Sequence, residues 1–315
     1  MPFSPVLAYY LHNFSPYVFR IGESFGPHWY GLAYVLGFYC CYLMLVHLAR
    51  KGYSELKAEQ AGDFITYLAL FGVVLGGRVG YMLLYNFDGF LKDPTSIVKL
   101  WDGGMASHGG IAGIALFTLY WSWKHKISWT NLGDNIVVGA PIGILFGRLA
   151  NFINGELYGR VTDVSWAMKF PTEIHNQDFI PAVENSLNFR ALPQYSNEII
   201  AAVKTMPNGV QELEAILHPR HPSQLYEAFL EGLFLTVVLY LVRTRVKNLP
   251  NGVLTGLFFI LYAGVRIFGE QYREPDADLI MGITRGQFYS LFMILIGLAF
   301  LGWALRGKSK AASAK

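Results

Sequence analysis

A chain of 315 residues with 53% hydrophobic and only 15% charged residues is not an ordinary water-soluble globule, which carries about 25% charge. Aromatics reach 16% and glycine contributes 33 residues, as in membrane-embedded helices, and these totals exclude disorder, collagen and coiled coil. A formal net charge of +3, scattered along the chain, excludes a nucleic-acid binder.

Crossing the hydrocarbon core takes about 20 apolar residues. Seven stretches qualify, approximately 28–49, 62–86, 105–123, 131–153, 224–242, 252–272 and 286–305. The fourth and sixth carry charge near one end and are the least regular. No Lys or Arg precedes Arg20 and the first apolar run is full length, so a signal peptide is not expected. Lys and Arg in the short loops set the orientation. Arg50, Lys51, Lys57, Lys124, Lys126, Arg243, Arg245, Lys247, Arg306, Lys308, Lys310 and Lys315 fall on one side, against Arg20, Lys92, Lys99, Arg273 and Arg285 on the other. The richer side is cytoplasmic, which puts the N-terminus outside and the C-terminus inside. The expected fold is therefore an all-α integral membrane protein of seven transmembrane helices.

Four domains are expected in chain order. Helices one to four occupy 1–153, a small extracytoplasmic head 154–222, helices five to seven 223–305, and a basic cytoplasmic tail 306–315. The head is polar and partly irregular, with Pro171, Pro181, Pro193, Pro207, Pro219 and Pro222. Gly72, Gly76 and Gly80 form one file of small residues, and Gly139, Gly143 and Gly147 another; both permit close helix approach. Cys40 and Cys41 are neighbours pointing about 100° apart, which makes them buried bystanders rather than a disulfide or a metal site.

Ionisable residues within a bilayer cost several kcal/mol unless paired or wetted, and they mark working sites. Arg78, His108, Arg148, Glu227, Glu231, Arg266 and Glu270 all fall inside the apolar stretches. At 1.5 Å per residue, Arg78 lies about 12 Å and Arg266 about 9 Å from the outer end of its span. His108 begins a span at that same end, so the charges gather in the outer leaflet. Arg266 and Glu270, four apart, share a face and can pair. Glu227 and Glu231 share one too, so one is neutral or matched to an arginine elsewhere. Acids are too few to neutralise every cation, and an anionic ligand is expected to make up the difference. Around Gly147-Arg148-Leu149-Ala150-Asn151-Phe152-Ile153-Asn154-Gly155-Glu156, the guanidinium and the amides of Asn151 and Asn154 share a face suited to a phosphodiester. Ser223, after His221-Pro222, is expected to cap the fifth span.

These residues carry a resemblance. His28-Trp29-Tyr30-Gly31, Gly76-Gly77-Arg78-Val79-Gly80-Tyr81, Trp101-Asp102-Gly103-Gly104-Met105 with His108-Gly109-Gly110, and the 147–160 run are similar to the bacterial prolipoprotein diacylglyceryl transferases. So are His221-Pro222-Ser223-Gln224-Leu225-Tyr226-Glu227 and Arg266-Ile267-Phe268-Gly269-Glu270 through Arg273-Glu274-Pro275-Asp276. The likeness covers nearly the whole chain in order. Ala150 stands where that family commonly has glycine, and the head looks longer than usual.

The resemblance implies transfer of the sn-1,2-diacylglyceryl group of phosphatidylglycerol to the lipobox cysteine of a prolipoprotein signal peptide, in the bacterial plasma (inner) membrane. A thioether forms and glycerol phosphate leaves; no cofactor or metal is expected. Arg148 and Arg266 are expected to hold the phosphate with Asn151 positioning it, Tyr30 to orient the headgroup, and His108 to act as base. Asn154, Glu156, Gly159 and Glu270 are expected to support the site, with Gly159 supplying a turn that a side chain would obstruct. Arg78 is expected either to hold lipid or to brace helices two and four. A carrier would show two related halves, and none is visible here.

Overall fold

A computed structural model describes residues 9–21, 26–176, 192–275 and 278–313, with 307–313 as backbone only. Pro181, Asp276, Lys315 and the side chains of Lys308 and Lys310 lie outside the described residues. Helices follow in the order α1 (Trp29–Arg50), α2 (Ala58–Leu84), α3 (Phe87–Lys92), α4 (Ser107–His125), α5 (Trp129–Asn154), α6 (Ser196–Val203), α7 (Gly209–Ile216), α8 (Ser223–Arg245), α9 (Val253–Gly269) and α10 (Arg285–Ser313). One parallel pair of two-residue strands, β1 (Tyr10–Leu11) and β2 (Met168–Lys169), is the exception to helix.

Each stretch expected as a span is helical. Among the described residues, five helices are long and apolar enough to cross a membrane: α1, α2, α5, α8 and Arg285–Arg306 of α10. α9 is apolar but has only 17 residues. In α10 only 17% of the apolar window is buried, and Leu295 and Leu298 stand exposed. Large apolar side chains left outside in such numbers need hydrocarbon rather than water around them. The chain is an all-α, multi-pass membrane protein.

The residues fall into two compact units. The first comprises Met1–Gly37, Pro141–Val237 and Phe259–Ile296; the second comprises Phe38–Ala140, Val238–Phe258 and Gly297–Lys315. In the second unit, α2 and α4 meet along glycines. A Cβ on Gly80 would lie 2.5 Å from the Gly109 Cα, and one on Gly76 would lie 2.9 Å from the Gly113 Cα, so no side chain fits between the backbones. The Gly72-Gly76-Gly80 file thus packs as its spacing predicts. Its counterpart is only partly used, since a Cβ on Gly147 would meet open space. Cys40 and Cys41 are free thiols, the latter buried. Asp134 explains the charge near the start of the fourth span. Its buried carboxylate accepts from the Gly252 and Thr255 amides and the Thr255 hydroxyl, each at 2.8 Å, and so caps α9.

In the first unit, the long 154–222 connection builds a core of its own. Ile199, Ile200 and Val203 from α6 pack on Ile174, Leu213 and Leu217. β1 runs into His12, which is fully buried. Its Nε2 lies 2.7 Å from the Phe152 carbonyl, which can only accept, so Nε2 carries the hydrogen. Nδ1 is then left to accept from the Ser196 hydroxyl at 2.9 Å. Burial pulls the imidazole down from 6.5 to about 4, against the raising effect of the Phe152 carbonyl.

This neutral imidazole stabilises the fold fully above pH 6.5, and the contribution is lost as pH falls from 6.5 towards about 4. Thermal unfolding followed across that range should fall more steeply for the wild type than for His12→Gln. Equal slopes would remove the imidazole from the account.

Candidate active site

Three helices deliver ionised groups to one place in the first unit. Arg148, on the last turns of α5, donates from Nε and Nη2 to Oε2 of Glu231, at 3.3 and 3.0 Å, and its Nη1 lies 3.0 Å from Oε2 of Glu227. Arg266 on α9 points Nη1 at Glu227 and Glu231, 3.1 and 3.0 Å away, and pairs through Nη2 with Glu270 one turn on. Arg273 adds two contacts of 3.3 Å to Glu227. The Tyr262 hydroxyl reaches Glu231 at 3.4 Å. Both glutamates are buried, as is Glu270, whereas the two central guanidiniums keep 16% and 14% of their side-chain surface open.

The backbone explains the convergence. α8 widens to a π-turn over Ala228–Phe234, a rare geometry found mostly at working sites, and Glu231 sits in it. Next to it, a Cβ on Gly232 would lie 2.6 Å from the Leu145 Cβ and 2.8 Å from its Cα. Without that side chain, α8 can press against α5 three residues before Arg148. The expectation that acids are too few is therefore corrected here. Among the described residues, Arg148, Arg266 and Arg273 face Glu227, Glu231 and Glu270, three against three. The like-charged Glu227 and Glu231 tolerate each other because two arginines bridge them.

Further polar contacts run from the end of α5. Asn151 gives its two amide hydrogens to the Tyr30 hydroxyl (2.6 Å) and the Glu156 carboxylate (2.9 Å), so it anchors these two groups. The Asn154 Oδ1 is buried without a partner among the described residues. Gly159 is required, but for a reason other than the expected turn. Its amide bonds the His221 carbonyl at 2.8 Å, and a Cβ there would strike the Tyr272 carbonyl and the His221 Cβ. The turn itself lies earlier, at Gly155 (φ 69°) and Leu157 (φ 55°). Arg220 ties this loop to the head, bonding the Gly159 carbonyl (3.1 Å), Glu274 (3.0 Å) and the fully buried Glu173 (2.6 Å). Ser223 is not the expected cap. Pro222 takes that position, and the Ser223 hydroxyl donates instead to the Leu157 carbonyl at 3.2 Å.

Arg78 and His108 belong to the second unit. The Arg78 guanidinium is buried and bonds four carbonyls, of Ser96, Lys99, Gly103 and Gly104. It braces the 94–104 segment rather than helices two and four, and its Nε is buried without a partner among the described residues. His108 is exposed on the first turn of α4. It stands at one end of an apolar groove of about 860 Å³ between α2 and α4, with Lys124 at the other end.

Several contributors carry little sequence signal. Gly232 and Gly286 are single glycines outside any file. A Cβ on Gly286 would collide with Glu270, 2.7 Å from its Cδ, and stand 3.0 Å from the Arg266 Nε, so the start of α10 closes over that ion pair. Arg220 and Arg273 precede and follow spans, where basic residues look like ordinary loop charges.

The class is thus a multi-pass membrane protein whose separate helices bring arginines and glutamates into one buried cluster. Comparison with known proteins narrows it. The family model for prolipoprotein diacylglyceryl transferase matches residues 16–303, and the chain belongs to that family. It is 36% identical to the phosphatidylglycerol–prolipoprotein diacylglyceryl transferase of Bdellovibrio bacteriovorus, covering 92% of this chain and 93% of that protein. The corresponding proteins of Erwinia tasmaniensis and Coxiella burnetii are 40% and 36% identical, over 93% and 96% of this chain and 93% and 100% of theirs.

Gly286→Ala puts a methyl group into the Arg266–Glu270 contact. Overpacking of this kind costs about 1–3 kcal/mol. It should lower the catalytic rate about tenfold or more while the protein still inserts and purifies, whereas Gly31→Ala, where a Cβ meets open space, should leave both unchanged.

Proposed function

We propose that this chain transfers the diacylglyceryl group of phosphatidylglycerol to the lipobox cysteine thiol of prolipoproteins in the bacterial inner membrane. The sulfur displaces the phosphate from the glycerol carbon, leaving a thioether and releasing glycerol phosphate. This is the first step of lipoprotein maturation. Family membership supports the reaction, and one observation carries the reading of the site: Arg148 and Arg266, from different helices, meet at shared carboxylates.

Our reading has seven transmembrane helices, the N-terminus outside and the C-terminus in the cytoplasm. The 154–222 segment is an extracytoplasmic head, 306–315 a basic cytoplasmic tail, and the site opens to the outer leaflet. The bias of basic residues among the loops and the helicity of all seven stretches support this.

The chemistry assigns the roles. A free thiol has a pKa near 8.5, so only a few per cent is thiolate at neutral pH. The leaving phosphate gains negative charge as the carbon–oxygen bond breaks, and fixed guanidiniums stabilise that charge without reorganising. Arg148 and Arg266 hold the phosphate in this reading. Tyr30, kept in place by Asn151, orients the headgroup, while Asn154 offers its unpartnered carbonyl oxygen as an acceptor for a glycerol hydroxyl. Glu270 orients Arg266, and Glu156 with Gly159 fixes the loop that carries Asn151's partner. His108 takes the thiol proton. Arg78 supports its own loop and is left out of the lipid site.

The test is an assay with phosphatidylglycerol and a lipobox peptide that follows both thioether and released glycerol phosphate. Release of phosphate without thioether, or no turnover with correctly folded enzyme, would overturn the function. Arg148→Lys removes the forked contact and should lower kcat/KM about tenfold or more. A single-turnover rate about a hundredfold lower is expected for His108→Gln; a rate near wild type would move the proton to another acceptor.

A further inference from the structure

We propose that Glu231 holds the seat of the lipid phosphate: it is the carboxylate that the phosphodiester displaces from Arg148 and Arg266 when substrate binds. The inference rests on the assignment of those arginines to the phosphate, and it names the group that must leave.

All three nitrogens of Arg148 and both terminal nitrogens of Arg266 already face a carboxylate. Arg148 gives Nε and Nη2 to Glu231 and Nη1 to Glu227, and Arg266 gives Nη1 to both glutamates and Nη2 to Glu270. A phosphodiester that uses the forked face of Arg148 must take the place of Glu231, because the Glu231 Oε2 occupies both nitrogens of that face. With three positive and three negative groups among the described residues, an added phosphate would also bring a charge that is relieved if a carboxylate withdraws or is neutralised.

Geometry selects Glu231 over its neighbours. Glu227 has Arg273 as a third cationic partner, at 3.3 Å through both carboxylate oxygens, so it stays held if Arg148 and Arg266 turn to the lipid. Glu270 is fixed one turn from Arg266 and is covered by Gly286. Among the described residues, Glu231 has the same two arginines and the Tyr262 hydroxyl, whose 3.4 Å contact is the weakest of the set. It also sits in the π-turn of α8, where hydrogen bonding is less regular than in the helix on either side. Glu231 thus resembles the phosphate in charge and in its oxygen-to-guanidinium geometry. It keeps two arginines compensated in an apolar setting while the site is empty, and it competes with the lipid for them.

A built-in competitor makes a specific prediction. Glu231→Gln keeps the size and an acceptor oxygen but removes the charge. It should lower the KM for phosphatidylglycerol, measured as its mole fraction in nanodiscs, about tenfold. Inhibition by free glycerol phosphate should strengthen by a similar factor. Glu227→Gln, which removes a carboxylate that also contacts Arg273, should not lower KM. An unchanged or raised KM in a folded Glu231→Gln enzyme, with kcat reduced, would make Glu231 a mere arginine-positioning group and overturn the proposal.

Should that variant fail to fold, wild-type enzyme decides. Its infrared difference spectrum on adding phosphatidylglycerol should show a glutamate carboxylate band changing, and diacylglycerol, which lacks the phosphate, should not produce it. A silent spectrum would overturn the proposal. If wild type transfers no lipid at all, the function itself fails, which is a separate result from transfer with no Glu231 effect.

Discussion

Compensation of charge inside an apolar protein governs this structure. Isolated, each of Arg148, Arg266, Glu227 and Glu231 would cost several kcal/mol to remove from water, and taking away one member of a buried pair costs about 3–5 kcal/mol. The three helices that carry them are therefore fixed relative to one another by electrostatics as much as by packing. Arg148 and Arg266 each touch two glutamates on α8, so α5 and α9 are both referenced to α8. The glycine at 232 and the π-turn let α8 approach closely enough for this to happen.

Around the cluster, the chain repeats one device: a polar side chain satisfying backbone groups that a loop leaves unpaired. Arg78 serves four carbonyls of the 94–104 segment, Asp134 the first amides of α9, and Arg220 the carbonyl of Gly159. In hydrocarbon, where water cannot replace a lost partner, such groups become obligatory. This explains why charged residues within apolar stretches divide into two kinds. Arg78 is surrounded by carbonyls, each an uncharged acceptor that closes around it. Arg148 faces carboxylates that another anion can replace.

The helices were legible because apolar length is a property of single segments. The boundaries from sequence come within a few residues of those of α1, α5 and α8. Arg148, Arg266 and Glu270 were legible for the same reason, since an arginine in an apolar run is conspicuous. Their balance was not: whether Glu227 and Glu231 repel or bridge depends on which neighbours α8 meets, and that is set by contacts far apart in the chain. Arg78 shows the converse. Its sequence surroundings resemble those of Arg148, yet the carbonyls that occupy it belong to a loop whose path no periodicity encodes. That a side chain would be obstructed at Gly159 was readable and the cause was not, because a close approach to Tyr272 and His221 leaves no mark in the residues beside it.

The glycine seam between α2 and α4 has a mechanical consequence. Where Gly76 and Gly80 lie against Gly109 and Gly113, main chain touches main chain, and no flexible side chain can yield between them. Sliding or parting the two helices would forfeit the whole contact at once, without intermediate positions. Arg78 clips the connecting segment at the same pair, from Ser96 to Gly104. These two helices thus form a stiff hairpin, so any doorway through which lipid chains pass opens elsewhere than along this seam.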